Sequence, residues 1–277
     1  MSILVVSLLI ASAIVHAGWN AVVKGSDDRL WSISIITLIG ACAAIPFALA
    51  LRPPSPESWP FIVFSSVLQV AYCLFLIRAY RDGDLANVYP IARGSAPLLV
   101  TIGAGLFARE VPGVGTLIGI LLISLGILVL TTGSKRADAK TTIAALMAGG
   151  FIASYMVVDG IGVRVGENAL GYAAWQAVVA GILIPLTYVF IRRKALPIPR
   201  GRDGLTVLVA GVLSTLGYCI AVWAMSLNTM GGVSALRETS ILFAALIGVI
   251  FLKEELSVQK ILCAVAVTAG VIVISIG

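Results

Sequence analysis

Five ionisable side chains fall inside long apolar runs: His16, Arg93, Asp159, Arg237 and Glu238. A charge at the centre of a membrane helix costs about 2.5–3.5 kcal/mol on insertion scales, so such residues ordinarily turn toward an interior cavity or a partner. Arginine presents a planar fork of donors that matches a carboxylate or a phosphate. Glutamate and histidine can carry a proton or serve as one half of a structural pair. The chemistry open to this set is capture and release of a charged solute, with proton exchange as an option.

Arg93 stands after Tyr89-Pro90 and before Gly94-Ser95-Ala96-Pro97. Paired prolines remove backbone donors, which predicts a kink or local unwinding at Arg93 with carbonyls turned toward a cavity. Two placements of Arg93 and Arg237 remain open: lining a pathway, or snorkelling to the nearer interface. Glu238 directly follows Arg237, and neighbours on a helix point about 100° apart, so these two are not expected to pair. Glu238 can instead face Arg93, take up a proton, or hold a structural ion pair.

Polar and aromatic residues mark further faces. His16, Trp19 and Asn20 are spaced i, i+3 and i+4 and share one side of a helix. Tyr155 and Asp159 lie one turn apart, Trp175 and Gln176 are adjacent, and Tyr72, Tyr218 and Trp223 sit within their runs. With Tyr89 and Ser95 these complete the candidate cavity residues, a mixture suited to amphipathic organic solutes. Trp31, Trp59 and Tyr80 lie near run ends, where an interfacial belt accounts for them. Cys42, Cys73, Cys219 and Cys263 lie inside apolar runs and read as packing residues.

What must position these residues is a repeat. The stretch from Asn87 to Glu110 is met again from Gly231 to Glu254, at the offset that lays Arg93 on Arg237, Ser95 on Thr239, Arg109 on Lys253 and Glu110 on Glu254. With 60% apolar and 12% charged residues, and a mean hydropathy of +1.07, the chain is too apolar to cover a soluble globule. Its apolar runs are unalternating, which excludes a membrane barrel. Ten helices are expected, at about 3–23, 30–51, 59–79, 88–108, 113–132, 141–163, 169–191, 204–227, 231–252 and 257–276. The first run is read as a retained helix, since no Lys or Arg precedes it.

The loops after runs one, three, five, seven and nine hold fourteen Lys and Arg residues, while those on the other side hold Arg52, Arg109 and Arg164. The positive-inside bias makes the first set cytoplasmic and puts both termini outside, on the periplasmic side of a bacterial-type inner membrane. The same bias accounts for the net charge of +6 without nucleic acid. Five runs per copy is an odd number, so residues 1–134 and 135–277 form repeats of inverted topology, an arrangement that places solute sites at the midplane between halves. Small residues at Gly115, Gly119, Gly126 and Gly270 are expected to let the fifth and tenth helices meet closely. Glu110 and Glu254 are expected to form turns rather than touch solute.

No loop has room for an ATP-binding domain, and the single histidine leaves no His-based metal cluster. No cofactor or metal is expected, and an enzyme is the least favoured class. The Ala-Pro signature of the fourth run, ending in Glu110, and its copy ending in Glu254-Glu255-Leu256 resemble the ten-helix EamA-type members of the drug/metabolite transporter superfamily. That resemblance implies a basket of ten helices, no nucleotide hydrolysis, and alternating access by rocking of helices three, four, eight and nine. Within the superfamily the chain looks like the amino acid exporters, including the aromatic amino acid exporter group. A carrier for another class (sugar phosphate, nucleobase or cationic drug) is the alternative. The expected partners are a small-molecule substrate and the lipid bilayer, with a monomer as the unit. Ile241, where the second copy would have matched Pro97, implies that the halves do not move identically.

Overall fold

Backbone inside an apolar run has no water to bond, so it closes its hydrogen bonds within the run. A computed structural model describes residues 1–24, 26, 28–82, 85–133, 139–199, 201–252 and 256–276, and among them every regular element is helical. The helices are α1 (Ile3–Lys24), α2 (Arg29–Ala50), α3 (Trp59–Asp82), α4 (Leu85–Ala108), α5 (Val114–Val129), α6 (Ala139–Val165), α7 (Ala169–Arg192), α8 (Gly201–Leu227), α9 (Met230–Arg237), α10 (Ser240–Leu252) and α11 (Val258–Ile276). Taken as one span, α9 and α10 make ten segments long and apolar enough to cross a membrane. Large apolar side chains, among them Phe47, Leu106, Phe107 and Phe190, lie on the outside, as a lipid-facing surface requires.

The repeats share local chemistry. Asp28 caps α2 by accepting from Trp31 N at 3.1 Å, and Asn168 caps α7 by accepting from Gly171 N at 3.2 Å. The most extensive helix contacts join one repeat to the other: α2 with α7, α5 with α11, α3 and α4 with α6, α1 with α8. The halves are inverted and interlocked around a central cavity. At the α5–α11 seam a Cβ on Gly119 would stand 2.7 Å from Gly270 O, and one on Gly126 would stand 2.7 Å from Ala266 Cβ. Only hydrogen fits there, which is why the seam is written in glycine.

The expected break appears in the opposite repeat. α4 runs unbroken through Pro90 and Pro97, whereas the ninth span is interrupted at Glu238 and Thr239, where there is neither proline nor glycine. Close packing explains the first: a Cβ on Gly149 of α6 would meet Ala92 O at 2.9 Å, so α6 is pressed against the α4 backbone where unwinding was expected. At the interruption, backbone bonds tighten to i→i−3, from Thr239 N to Leu236 O (3.2 Å) and from Ile241 N to Glu238 O (3.1 Å). The Thr239 hydroxyl also donates to Leu236 O at 2.7 Å, competing with the regular ladder.

The two ends of the bundle differ. The main core, including Leu9, Ile62, Ile120, Tyr172, Met225 and Met230, fills the half away from the Lys/Arg-rich loops. The half toward those loops, hereafter the basic end, holds a smaller cluster of Ile35, Ile36, Val207 and Ala210 beside a hollow. Gly119→Val is expected to destabilise the protein by about 1–3 kcal/mol through overpacking. Gly18→Ala, whose new methyl meets nothing within 4 Å, is expected to be neutral or stabilising by about 0.5–1 kcal/mol. Thermal unfolding of the detergent-solubilised variants checks both.

Candidate functional site

A cavity of about 780 Å³ occupies the hollow half. Its depth is lined by His16, Gln69, Tyr72, Arg93, Tyr218 and Arg237, and its mouth by Val23, Arg29, Ile77, Ser257 and Lys260 at the basic end. Among the described residues, none from the outer turns at the far end contributes to the lining. Ala177, Ala180 and Gly181 of α7 and Ala244, Ala245 and Gly248 of α10 line the walls. Their small side chains leave the space open.

Arg93 and Arg237 both turn inward rather than to lipid, with relative exposures of 6% and 9%. Arg93 Nη1 donates to Glu238 Oε1 at 3.1 Å, so α4 is tied to the break in the ninth span across the repeat boundary. Its Nη2 contacts His16 Nε2, and its guanidinium carbon lies 5.5 Å from the Tyr89 ring centroid. Since arginine can only donate, Nε2 is the accepting nitrogen. His16 stacks edge-on against Trp19 at 5.0 Å and its carbonyl accepts from Asn20 Nδ2 at 2.8 Å, so the shared face expected on α1 is present and lines the cavity.

Asp159 is fully buried behind the wall. Its Oδ1 accepts from Tyr172 Oη at 3.1 Å and its Oδ2 from Tyr218 Oη, while Gln69 Nε2 donates to Tyr218 Oη at 3.2 Å. This network fixes the Tyr218 ring, over which Arg237 sits with its guanidinium carbon 5.9 Å from the centroid. Among the described residues no side-chain or backbone oxygen accepts a hydrogen bond from Arg237.

Of the sequence candidates, His16, Trp19, Asn20, Tyr72, Tyr89, Arg93, Tyr155, Gln176, Tyr218 and Arg237 line the cavity. Five do not. Ser95 donates to Ala92 O at 3.2 Å within its own helix. Trp175 packs on Trp59 at 5.2 Å, and Trp223 packs against the main core. Asp159 and Glu238 act from behind, through Tyr218 and Arg93. The cavity also uses Gln69, Thr37, Ser214 and Thr215, whose signal in the sequence was a polar atom inside an apolar run. Tyr80's side chain, Lys253 and Glu254 lie outside the described residues.

The far end is closed by the main apolar core, and one carboxylate ties the helix ends there. Glu110 Oε2 pairs with Arg164 Nη2 at 2.8 Å, and Glu110 Oε1 accepts from Met230 N at 2.6 Å, capping α9. Arg164 also donates from Nε to Met225 O (3.0 Å) and from Nη2 to Asn228 O (2.8 Å). Four helix ends (α4, α6, α8 and α9) meet at this pair. Arg109 leaves α4 with a left-handed φ of 53°, and Glu110 N bonds back to Ala104 O at 3.1 Å, which closes the turn before the seal. Glu110 thus has the turn-forming, hydrogen-bonding role expected of it.

The family model described as the EamA-like transporter family matches the chain twice, over residues 3–132 and 139–276. The chain belongs to the EamA-like transporter family. A solved protein crystal structure superposes on it with a TM-score of 0.78 at 18% identity, covering 98% of this chain and 96% of that one, a likeness of fold. No curated protein matches the chain. The match names an EamA-like transporter and does not single out the aromatic amino acid exporter group.

In this EamA-like chain the Arg93–Glu238 pair is buried on both sides, so removing one partner strands the other. Arg93→Ala is expected to cost about 3–5 kcal/mol of stability, and Arg93→Leu/Glu238→Leu to recover most of it. Thermal unfolding of the single and double variants measures the difference.

Proposed function

We propose that this protein is a secondary carrier that exports small carboxylate-bearing metabolites, amino acids first among them, by alternating access. The observation that carries this reading is a cavity between inverted repeats that reaches the basic end and is separated from the far end by the main apolar core, with the Glu110–Arg164 pair tying the helix ends beyond it. A carrier must hold one such barrier at a time, and the inverted repeats offer a route to the mirror arrangement. With the basic end cytoplasmic, as the positive-inside bias has it, the cavity is loaded from inside. Both termini then lie on the periplasmic side of a bacterial-type inner membrane. One chain supplies both halves, so the monomer is the working unit.

Aromatic rings from Trp19, Tyr72, Tyr155 and Tyr218 offer contact to an apolar or amphipathic body. A second reading, transport of a phosphate ester, is favoured by Arg29, Arg237 and Lys260 among the lining residues. A cationic drug is disfavoured, because no Asp or Glu is among the described lining residues.

Proteoliposomes are expected to show saturable amino acid flux; a full panel without flux, beside good transport of a sugar phosphate, overturns the primary reading. The seal is tested in a background lacking the four native cysteines. Ser234→Cys on α9, buried in the far half, is expected to react slowly with an impermeant maleimide from the far side and several-fold faster when Glu110→Gln is added. Equal rates would remove the seal. Labelling of the termini from the cytoplasmic face alone would overturn the orientation.

A further inference from the structure

We infer that the two repeat-related arginines have parted roles: Arg237 is the anion anchor of the cavity, Arg93 is a latch between the repeats, and the ligands selected are small organic acids whether or not they carry an ammonium group. This rests on the carrier reading and names the chemistry its site selects.

Arg93 is already spent. Glu238 takes Nη1, His16 meets Nη2, and the Tyr89 ring lies against the guanidinium. A substrate carboxylate arriving there would have to displace Glu238, leaving that buried carboxylate unpaired. Arg237 occupies the matching position of the second repeat and is equally enclosed, but it lies over the Tyr218 ring, with His16, Tyr155 and Asp159 within electrostatic reach and no described oxygen accepting a hydrogen bond from it. That ring is held by Asp159 and Gln69 through its hydroxyl, so it supports the guanidinium without using its N–H donors. Asp159 cannot take the substrate's place, because its two oxygens already accept from Tyr172 and Tyr218.

A guanidinium in the depth of a cavity, with no protein oxygen among the described residues accepting from it, suits an anion with two oxygens. A second observation points the same way. Gln176 is fully buried, lines the same cavity, and has no partner for either amide atom. A buried amide with its nitrogen and oxygen both free is costly unless a ligand supplies the missing bonds. It can read a polar substituent while Arg237 holds the acid. No carboxylate among the described lining residues is available to read an ammonium group by charge. The ligand's negative charge, not its positive one, therefore decides entry.

Equilibrium binding to the detergent-solubilised protein, followed by ligand-induced thermal shift, tests this with four probes sharing one body: phenylalanine, N-acetylphenylalanine, 3-phenylpropionate and phenethylamine. The three acids are expected to bind and the amine to bind at least about tenfold more weakly. Arg237→Gln should weaken the acids by a similar factor, and Arg237→Lys should retain part of the affinity. The inference is overturned if phenethylamine binds as well as the acids, if none of the acids binds, or if Arg237→Gln leaves acid affinity unchanged. Should Arg237→Gln not fold, the four-probe ranking on the unaltered protein and on Arg237→Lys decides alone. Arg237-dependent acid binding with no flux in proteoliposomes would sink the carrier reading instead, and amine flux with no acid binding would sink only this inference.

Discussion

A guanidinium inside a membrane protein has to be answered by something, and the arrangement of this molecule follows from how two of them are answered. Arg93 is met by Glu238 from the other repeat. Glu238 reaches it from the point where the ninth span gives up regular helix, at the residues that follow Arg237. The same interruption presents Arg237 to the cavity beside the fixed ring of Tyr218. One ion pair thus couples a helix break, a repeat boundary and the exposure of a second charge. Its energy is not needed to hold the fold, since apolar packing does that more cheaply; what it supplies is geometry.

Inverted repeats begin as near copies, yet here the copies are used differently. Helix α4 keeps its prolines and runs without interruption, with α6 against its backbone near Ala92. Its counterpart has no proline and breaks. The apolar core follows the same asymmetry by filling the far half and leaving the basic half open. These differences make the conformation asymmetric between the two repeats.

Much of this was legible in the sequence. The spans, their number, the glycine seam between the fifth and tenth segments, and the inward turn of His16, Trp19 and Asn20 all follow from apolar run length and residue spacing. Expectations failed where tertiary contact outweighed local propensity. Pro90 and Pro97 marked the wrong span as the interrupted one, because the propensity to unwind says nothing about what presses on the helix. Ser95, Trp175 and Trp223 were read as cavity residues from polarity alone, but each is satisfied or packed elsewhere. The small residues of α7 and α10 that make room for the cavity carried no signal, because an absent side chain looks the same whether a helix or a void lies beside it. Asp159 was visible as a buried acid, but its place behind Tyr218 required coordinates.

The seal at the far end has one further property. A single carboxylate, Glu110, serves both the Arg164 guanidinium and the first amide of α9. Loss of that carboxylate frees the Arg164 guanidinium and the α9 amide in one event, while Arg164 still holds the end of α8 through Met225 O and Asn228 O. A single side chain thus sets two joints of the bundle, so neutralising it is felt at the ends of α4, α6 and α9 at once.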